Sequence, residues 1–186
     1  HWHQWTSSAS AGSWEKDLVE MFDNGKIQVK FVTFPGSPPG NSSTHVSNKA
    51  HRSDFLRLRA LREMGGIYLD TDVFCARPLD SLRVHDFTMG FDNVVHEDEN
   101  AINARRLNNG VILSAPNASF IHVWEKAYSN FDPNSFDYHS SVLPLKLAVQ
   151  YPDLIHIEMS RVSPMSYGLQ TSEAAAALTC GILLPK

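Results

Sequence analysis

The run from Ser53 to Cys75 constrains this chain more than any other stretch. Phe55, Leu58, Leu61 and Met64 recur at three-residue spacing, the pattern of a helix with one buried stripe. Ser53-Asp54 offers N-terminal capping chemistry, and Gly65-Gly66 stops the helix. Ile67-Tyr68-Leu69 then reads as a short apolar strand that runs directly into Asp70-Thr71-Asp72. Val73-Phe74-Cys75 continues it until Pro78 breaks it.

The same alternation recurs along the chain. Trp14, Leu18, Met21 and Phe22 follow helical spacing up to Gly25, and a strand is expected over 27–34. The Pro/Gly/Ser-rich stretch 35–43 is a loop. Phe87 to Phe91 and Gly110 to Ser114 read as strands, with polar, irregular sequence over 92–108. Phe120, Trp124, Ala127, Tyr128 and Phe131 mark an amphipathic helix. Val142 to Tyr151 is a further helix with Pro144 in its first turn, and Leu154 to Ile157 is a last strand. The apolar tail from Ala174 to Leu184 fits helix or strand. Alternating helices and strands predict an α/β fold with a mostly parallel sheet flanked by helices. At 186 residues the chain fits one domain over 1–186.

Composition removes several function classes. The formal net charge is −4, which is not the footprint of a nucleic-acid binder. No run of about 18 apolar residues crosses a membrane, and His1 to Trp5 does not resemble a signal peptide. Two cysteines, Cys75 and Cys180, allow one disulfide or none. Asn41 and Asn117 head glycosylation acceptor triplets. The nine histidines, among them His1/His3 and His45/His51, read mainly as solvated side chains, and Glu97-Asp98-Glu99 as a solvated loop.

The carboxylate pair carries the chemistry. Ligands of open α/β sheets bind outside strand C-termini, where Asp70 and Asp72 stand. In an extended segment residues i and i+2 point the same way, so the two carboxylates repel unless a cation lies between them. Hard oxygen donors suit Mg²⁺ or Mn²⁺, which complete their shells with water and substrate phosphates. Asp54 and Arg57, three apart, share a helix face. On residue type alone they read as a surface ion pair or as a substrate-orienting pair. Arg59, Arg62 and Glu63 read as solvated face, with Arg59 and Glu63 an i, i+4 pair.

The run from His51 to Val73 resembles the DxD sugar-binding region of family 32 glycosyltransferases, whose pattern is S/A-D-x-x-R, about eight residues, then G-G-x-Y-x-D-x-D. The core of the clostridial glucosylating toxins is similar. Leu107 to Asn117 and Phe136 to Pro144 look like eukaryotic, especially fungal, members, so the resemblance spans roughly 45–150. It implies a GT-A, Rossmann-like fold and a metal-dependent hexosyl transfer. The donor would be a UDP- or GDP-hexose and the acceptor a glycan or glycolipid, with retention of the anomeric configuration. By this resemblance Asp54 and Arg57 hold the donor sugar. Asp70 meets ribose, sugar or metal water, and Asp72 ligates Mn²⁺ (or Mg²⁺). Tyr68 lies near the donor, Asn109 on a strand facing the sugar, and His139 near the acceptor side. It also implies a Golgi or secretory lumen, with any membrane anchor outside this chain.

Two departures from the family pattern carry expectations. The usual opening strand, I-P-K-I-I-H-x-x-W, is absent or reduced to His1–Trp5, and no closing metal ligand is evident over 160–186. The chain therefore reads as the central body of a larger catalytic domain, truncated at both ends. Two other readings stand beside it. Haloacid dehalogenase phosphohydrolases also place DxD after a strand, but want Thr or Val two residues beyond the second Asp, where Phe74 stands. A catalytically inactive, sugar-nucleotide-binding module would keep the same motif.

Overall fold

The computed structural model describes residues 2–6, 27–31, 36–39, 44–73, 75, 78–92, 106–159 and 181–184. The helix read at 14–22, the Glu97-Asp98-Glu99 loop, Asn41 and Cys180 lie outside the described residues. Among the described residues seven strands form one sheet: β1 (Trp2–Thr6), β2 (Ile27–Phe31), β3 (Gly66–Leu69), β4 (Phe87–Asp92), β5 (Arg106–Ser114), β6 (His156–Glu158) and β7 (Gly181–Leu184). Their order is β2-β1-β7-β3-β5-β4-β6. The sheet is mixed, not mostly parallel. Only β1/β2 and β4/β6 pair in parallel, while β1/β7, β3/β7, β3/β5 and β4/β5 are antiparallel.

Side-chain alternation along the strands splits the core in two. Tyr68, Ile112, Phe87 and Met89 face the side that carries three helices: α1 (Lys49–Met64), α2 (Ser119–Ala127) and α3 (Leu143–Gln150). Phe55, Leu58 and Leu61 of α1, Phe120, Ile121 and Trp124 of α2, and Leu147 of α3 complete that cluster. Each fully buried apolar side chain contributes roughly 1.5–3 kcal/mol. Ile67, Leu69, Val111 and Leu113 face the other side, where Leu82 of a short 3₁₀ turn (Asp80–Leu82) covers them. With both faces covered, β3 is buried throughout.

Helix α1 starts earlier than Ser53-Asp54. Its cap is Asn48, whose side chain accepts from the Ala50 N–H at 2.9 Å. Ser53 and Asp54 lie within the second turn, which frees Asp54 for another role. Gly65 ends the helix at φ 64°, with its N–H on the Leu61 carbonyl at 2.8 Å. Arg62 is not solvated face: it pairs at 2.7 Å with Glu125, a buried residue of α2. The expected Arg59–Glu63 pair forms at 2.8 Å.

Strand β3 stops at Leu69 instead of continuing through Cys75. Residues 70–73 turn, with the Val73 N–H on the Asp70 carbonyl at 3.1 Å. The second predicted helix ends at Ala127 and passes into a 3₁₀ turn (Tyr128–Asn130), and one π-helical turn (Tyr138–Val142) precedes α3. The tail is strand where it is described, as β7. No helix among the described residues is long and apolar enough to cross a membrane.

Candidate sugar-binding site

Strand β5 is deformed where it meets α1. Its register against β4 runs Met89↔Ile112 and then Gly90↔Asn108, so residues 109–111 have no opposite number in β4. A bulge of this kind re-aims side chains and frees backbone groups from the ladder. Here it turns Asn109 toward α1. The Asn109 carbonyl accepts from Arg57 Nη1 at 2.6 Å, and the Asn109 amide donates to Asp54 Oδ1 at 3.1 Å.

Gly110 completes the bulge. Its N–H donates to Asn108 Oδ1 at 2.6 Å, and its carbonyl accepts from the Asp70 N–H at 2.8 Å. A Cβ at this position would stand 3.0 Å from Asp70 Oδ2 and 3.1 Å from Asn108 Oδ1. The missing side chain is therefore what lets the Asp70 carboxylate lie against β5. Glycine inside a strand signals such an approach, and this was the one sequence cue to Gly110.

Asp54, Arg57, Tyr68, Asp70 and Asn109 form one connected network. Arg57 Nη2 lies 3.3 Å from Asp54 Oδ1, and Nη1 lies 3.3 Å from Asp70 Oδ1. The Tyr68 hydroxyl donates to Asp70 Oδ1 at 2.5 Å, and the Arg57 guanidinium sits 4.5 Å from the Tyr68 ring centroid. Ser53 Oγ takes a further bond from Arg57 Nη2 at 3.3 Å. The surface-pair reading of Asp54 and Arg57 fails, since their side chains are only 10% and 7% exposed. Buried ions persist when paired and hydrogen-bonded, as these are.

Burial pushes the Asp54 carboxyl up to about 7, with Arg57 pulling it down and Asp70 adding to the rise. Burial works against the Arg57 charge, but Tyr68, Asp54 and Asp70 around it raise its pKa and keep it cationic. Burial likewise raises the Tyr68 phenol, which stays a donor to Asp70.

Asp72 stands apart from this network. It is exposed in the turn after β3, and among the described residues no hydrogen bond or ion pair engages it. Because 70–72 turns, the alternation expected of an extended pair does not apply, and the two aspartates serve differently. Asp70 is tied inward, with its side chain 32% exposed, and Asp72 points its charge at solvent. Among the described residues no group of three His, Cys, Asp or Glu side chains could hold a metal ion. Two hard carboxylates at a strand end nevertheless suit a cation that draws its other ligands from diphosphate and water.

His139 is buried in aromatic packing under α1. Its Nε2 accepts from the Asp132 N–H at 2.9 Å, and its carbonyl accepts from the Trp124 indole at 2.9 Å. Among the described residues it makes no hydrogen bond or ion pair with Asp54, Arg57 or Asp70 and acts as a structural acceptor in this fold. His51 is likewise buried, contrary to the solvated reading, and its Nε2 donates to the Phe136 carbonyl at 3.2 Å. Sequence offered no cue to Tyr128, whose spacing reads only as core. Its hydroxyl lies within electrostatic range of Asp54 and Arg57.

Comparison with known proteins accords with this geometry. Residues 9–88 match the family model of the glycosyltransferase sugar-binding region containing the DXD motif. The chain is 36% identical over 121 residues to Glucan organizing enzyme 1 of Cryptococcus neoformans var. grubii serotype A. That alignment covers 64% of this chain and 33% of the relative, so the chain spans about a third of that curated protein. No solved structure matches. The resemblance read from Asp54 to Asp72 is therefore supported, since residues 9–88 are similar to a glycosyltransferase sugar-binding region of the DXD type.

Proposed function

We propose that this chain supplies the donor site of a metal-dependent glycosyltransferase of GT-A architecture, which moves a hexose from a nucleotide diphosphate sugar to a glycan or glycolipid. The observation that carries the reading is the buried Asp54–Arg57 pair, locked by Asn109 and joined through Arg57 to Asp70 at the end of β3. Such a pair costs desolvation and has no structural necessity at a strand end. It does supply a charged, preorganised surface for sugar hydroxyls.

Each residue has a distinct task in this reading. Arg57 and Asn109 engage Asp54 through Oδ1, which leaves Oδ2 for a hydroxyl of the donor sugar. Arg57 holds Asp54 and Asp70 at fixed separation, so the sugar is oriented before reaction. Asp72 and Asp70 would hold Mn²⁺ or Mg²⁺. When bound, that cation would offset charge on the departing diphosphate. The family resemblance supports a retaining reaction, and the absence of an evident nucleophile in the sequence supports a front-face route without a covalent intermediate. A stable glycosyl adduct trapped with a fluorinated donor would exclude that route. Asn117 is exposed in a turn, which supports action in a secretory or Golgi lumen. A mobility shift on glycosidase treatment, lost in Asn117→Gln, checks that placement.

Calorimetric titration tests the central reading with UDP, GDP and their hexose conjugates, with and without Mn²⁺. The expected result is metal-dependent binding to the wild type that Asp72→Ala abolishes. Asp72 is exposed and unbonded among the described residues, so its removal leaves the fold intact. Equal binding by both proteins would sink the proposal. Binding without transfer to any acceptor would favour the inactive binding module.

A further inference from the structure

Where α1 meets the segment 128–139, three buried polar atoms have no partner among the described residues: His51 Nδ1, Tyr128 Oη and His139 Nδ1. Their side chains are 2%, 1% and 5% exposed. Buried polar atoms almost always find a partner, so three orphans in one place call for an explanation. They are neighbours. Phe131 packs against all three rings, with centroids 5.1 Å from His51, 6.1 Å from Tyr128 and 5.0 Å from His139. The Tyr128 and His139 rings are 5.6 Å apart.

The second nitrogen of each imidazole fixes its tautomer. His51 Nε2 faces the Phe136 carbonyl, which only accepts, so Nε2 carries the hydrogen and neutral Nδ1 is an acceptor. His139 Nε2 faces the Asp132 N–H, which only donates, so Nε2 is bare and Nδ1 carries the hydrogen. The set thus contains one donor, one acceptor and one hydroxyl that does both. None of the three bonds another directly. A buried water typically makes about three hydrogen bonds to otherwise unsatisfied groups, and this set matches its needs.

We propose that His51, Tyr128 and His139 enclose a buried water-binding site beside Phe131, and that Tyr128 is a positioning residue for Asp54 through it. His139 Nδ1–H donates into the site and His51 Nδ1 accepts from it. Tyr128 adjoins the sugar-binding pair: its ring packs 5.0 Å from that of Phe55, the residue that follows Asp54 in α1. Burial pulls the His139 imidazole below the usual histidine range, Asp132 works against that fall, and His51 disfavours a second positive charge beside it. Only the effect on donor binding rests on the function proposed above.

Histidine side-chain NMR on the full chain tests the site directly, because nitrogen shifts and couplings distinguish the tautomers. The expected pattern is a neutral Nδ1–H tautomer for His139, an Nε2–H tautomer for His51, and a cross-peak from His139 Hδ1 to water. Tyr128→Phe removes the hydroxyl and keeps the ring. It should weaken that cross-peak and raise the KM for the UDP-glucose or GDP-mannose that the wild type uses by about tenfold, with kcat little changed. An Nε2–H tautomer at His139, titration like a solvated histidine, or an Nδ1–H without a water contact would overturn the site. An unchanged KM in Tyr128→Phe would overturn the positioning role. If the wild type binds neither nucleotide sugar, the functional reading fails while the tautomers and water contact still decide the site.

Discussion

Asp54 and Arg57 show what a buried ion pair demands of its neighbours. Removing one member of such a pair leaves the other charge stranded, typically at about 3–5 kcal/mol. Arg57→Ala should therefore lower stability by about that amount in urea titration. Asp54→Asn with Arg57→Met should recover most of the loss, since the deeply buried charge is gone and Asp70, 32% exposed, keeps its contact with solvent. Recovery of nothing would mean that packing, not charge, sets the cost. Gly110→Ala is predicted to act differently. Its Cβ would press on Asp70 Oδ2 at 3.0 Å, costing about 1–3 kcal/mol and displacing the carboxylate. Metal-dependent UDP or GDP binding should weaken more than global stability does, and calorimetry beside urea titration separates the two. The 54/57 spacing was legible in the sequence, as was the glycine in β5. Burial was not, because Asp and Arg default to the surface and nothing local reveals which pair the fold encloses.

Helix α1 is set by signals at its two ends. The stripe of Phe55, Leu58 and Leu61 and the stop at Gly65 could be read directly, because periodicity and a left-handed terminus are local properties. The start could not. Asn48 and Ser53-Asp54 are equivalent capping chemistry, and only packing of the first turn selects Asn48. The β5 bulge was also hidden, since a register shift depends on the partner strand. Gly65 carries a firm prediction. It sits at φ 64°, and a Cβ there would stand 2.6 Å from the backbone nitrogen of Pro116. Gly65→Ala combines left-handed strain with a backbone clash and should cost more than about 2 kcal/mol. A lowered urea midpoint checks it. The 115–118 turn must then shift, which strains the bond from the Asn117 N–H to the Arg62 carbonyl at 3.0 Å.

Over the whole molecule, β2 to β6 were legible as strands, while β1 and β7 were not. Strand direction was not legible either, because alternation reads the same in both directions. The mixed sheet puts β5 antiparallel between β3 and β4, so that its bulge faces the end of β3. Two buried groups near that junction impose opposite pH dependences on the metal-free protein. Asp54 titrates at about 7 when folded against 3.8 as its ordinary value. Between those values the folded state holds a proton the unfolded chain has lost, so stability from this group falls as pH rises. His139 is lowered from 6.5 by burial, so the unfolded chain takes up its proton first on acidification. Stability from His139 is present above 6.5 and is lost as pH falls through the depressed folded value. The two terms oppose each other below pH 6.5, and the wild type should show a shallow dependence there. Asp54→Asn leaves His139 unopposed, so its urea midpoint should drop steeply on acidification from neutral pH. His139→Gln leaves Asp54 unopposed, and its midpoint should rise over the same range, whatever its absolute stability. Parallel slopes in all three proteins would mean that neither group is as enclosed as the fold places it.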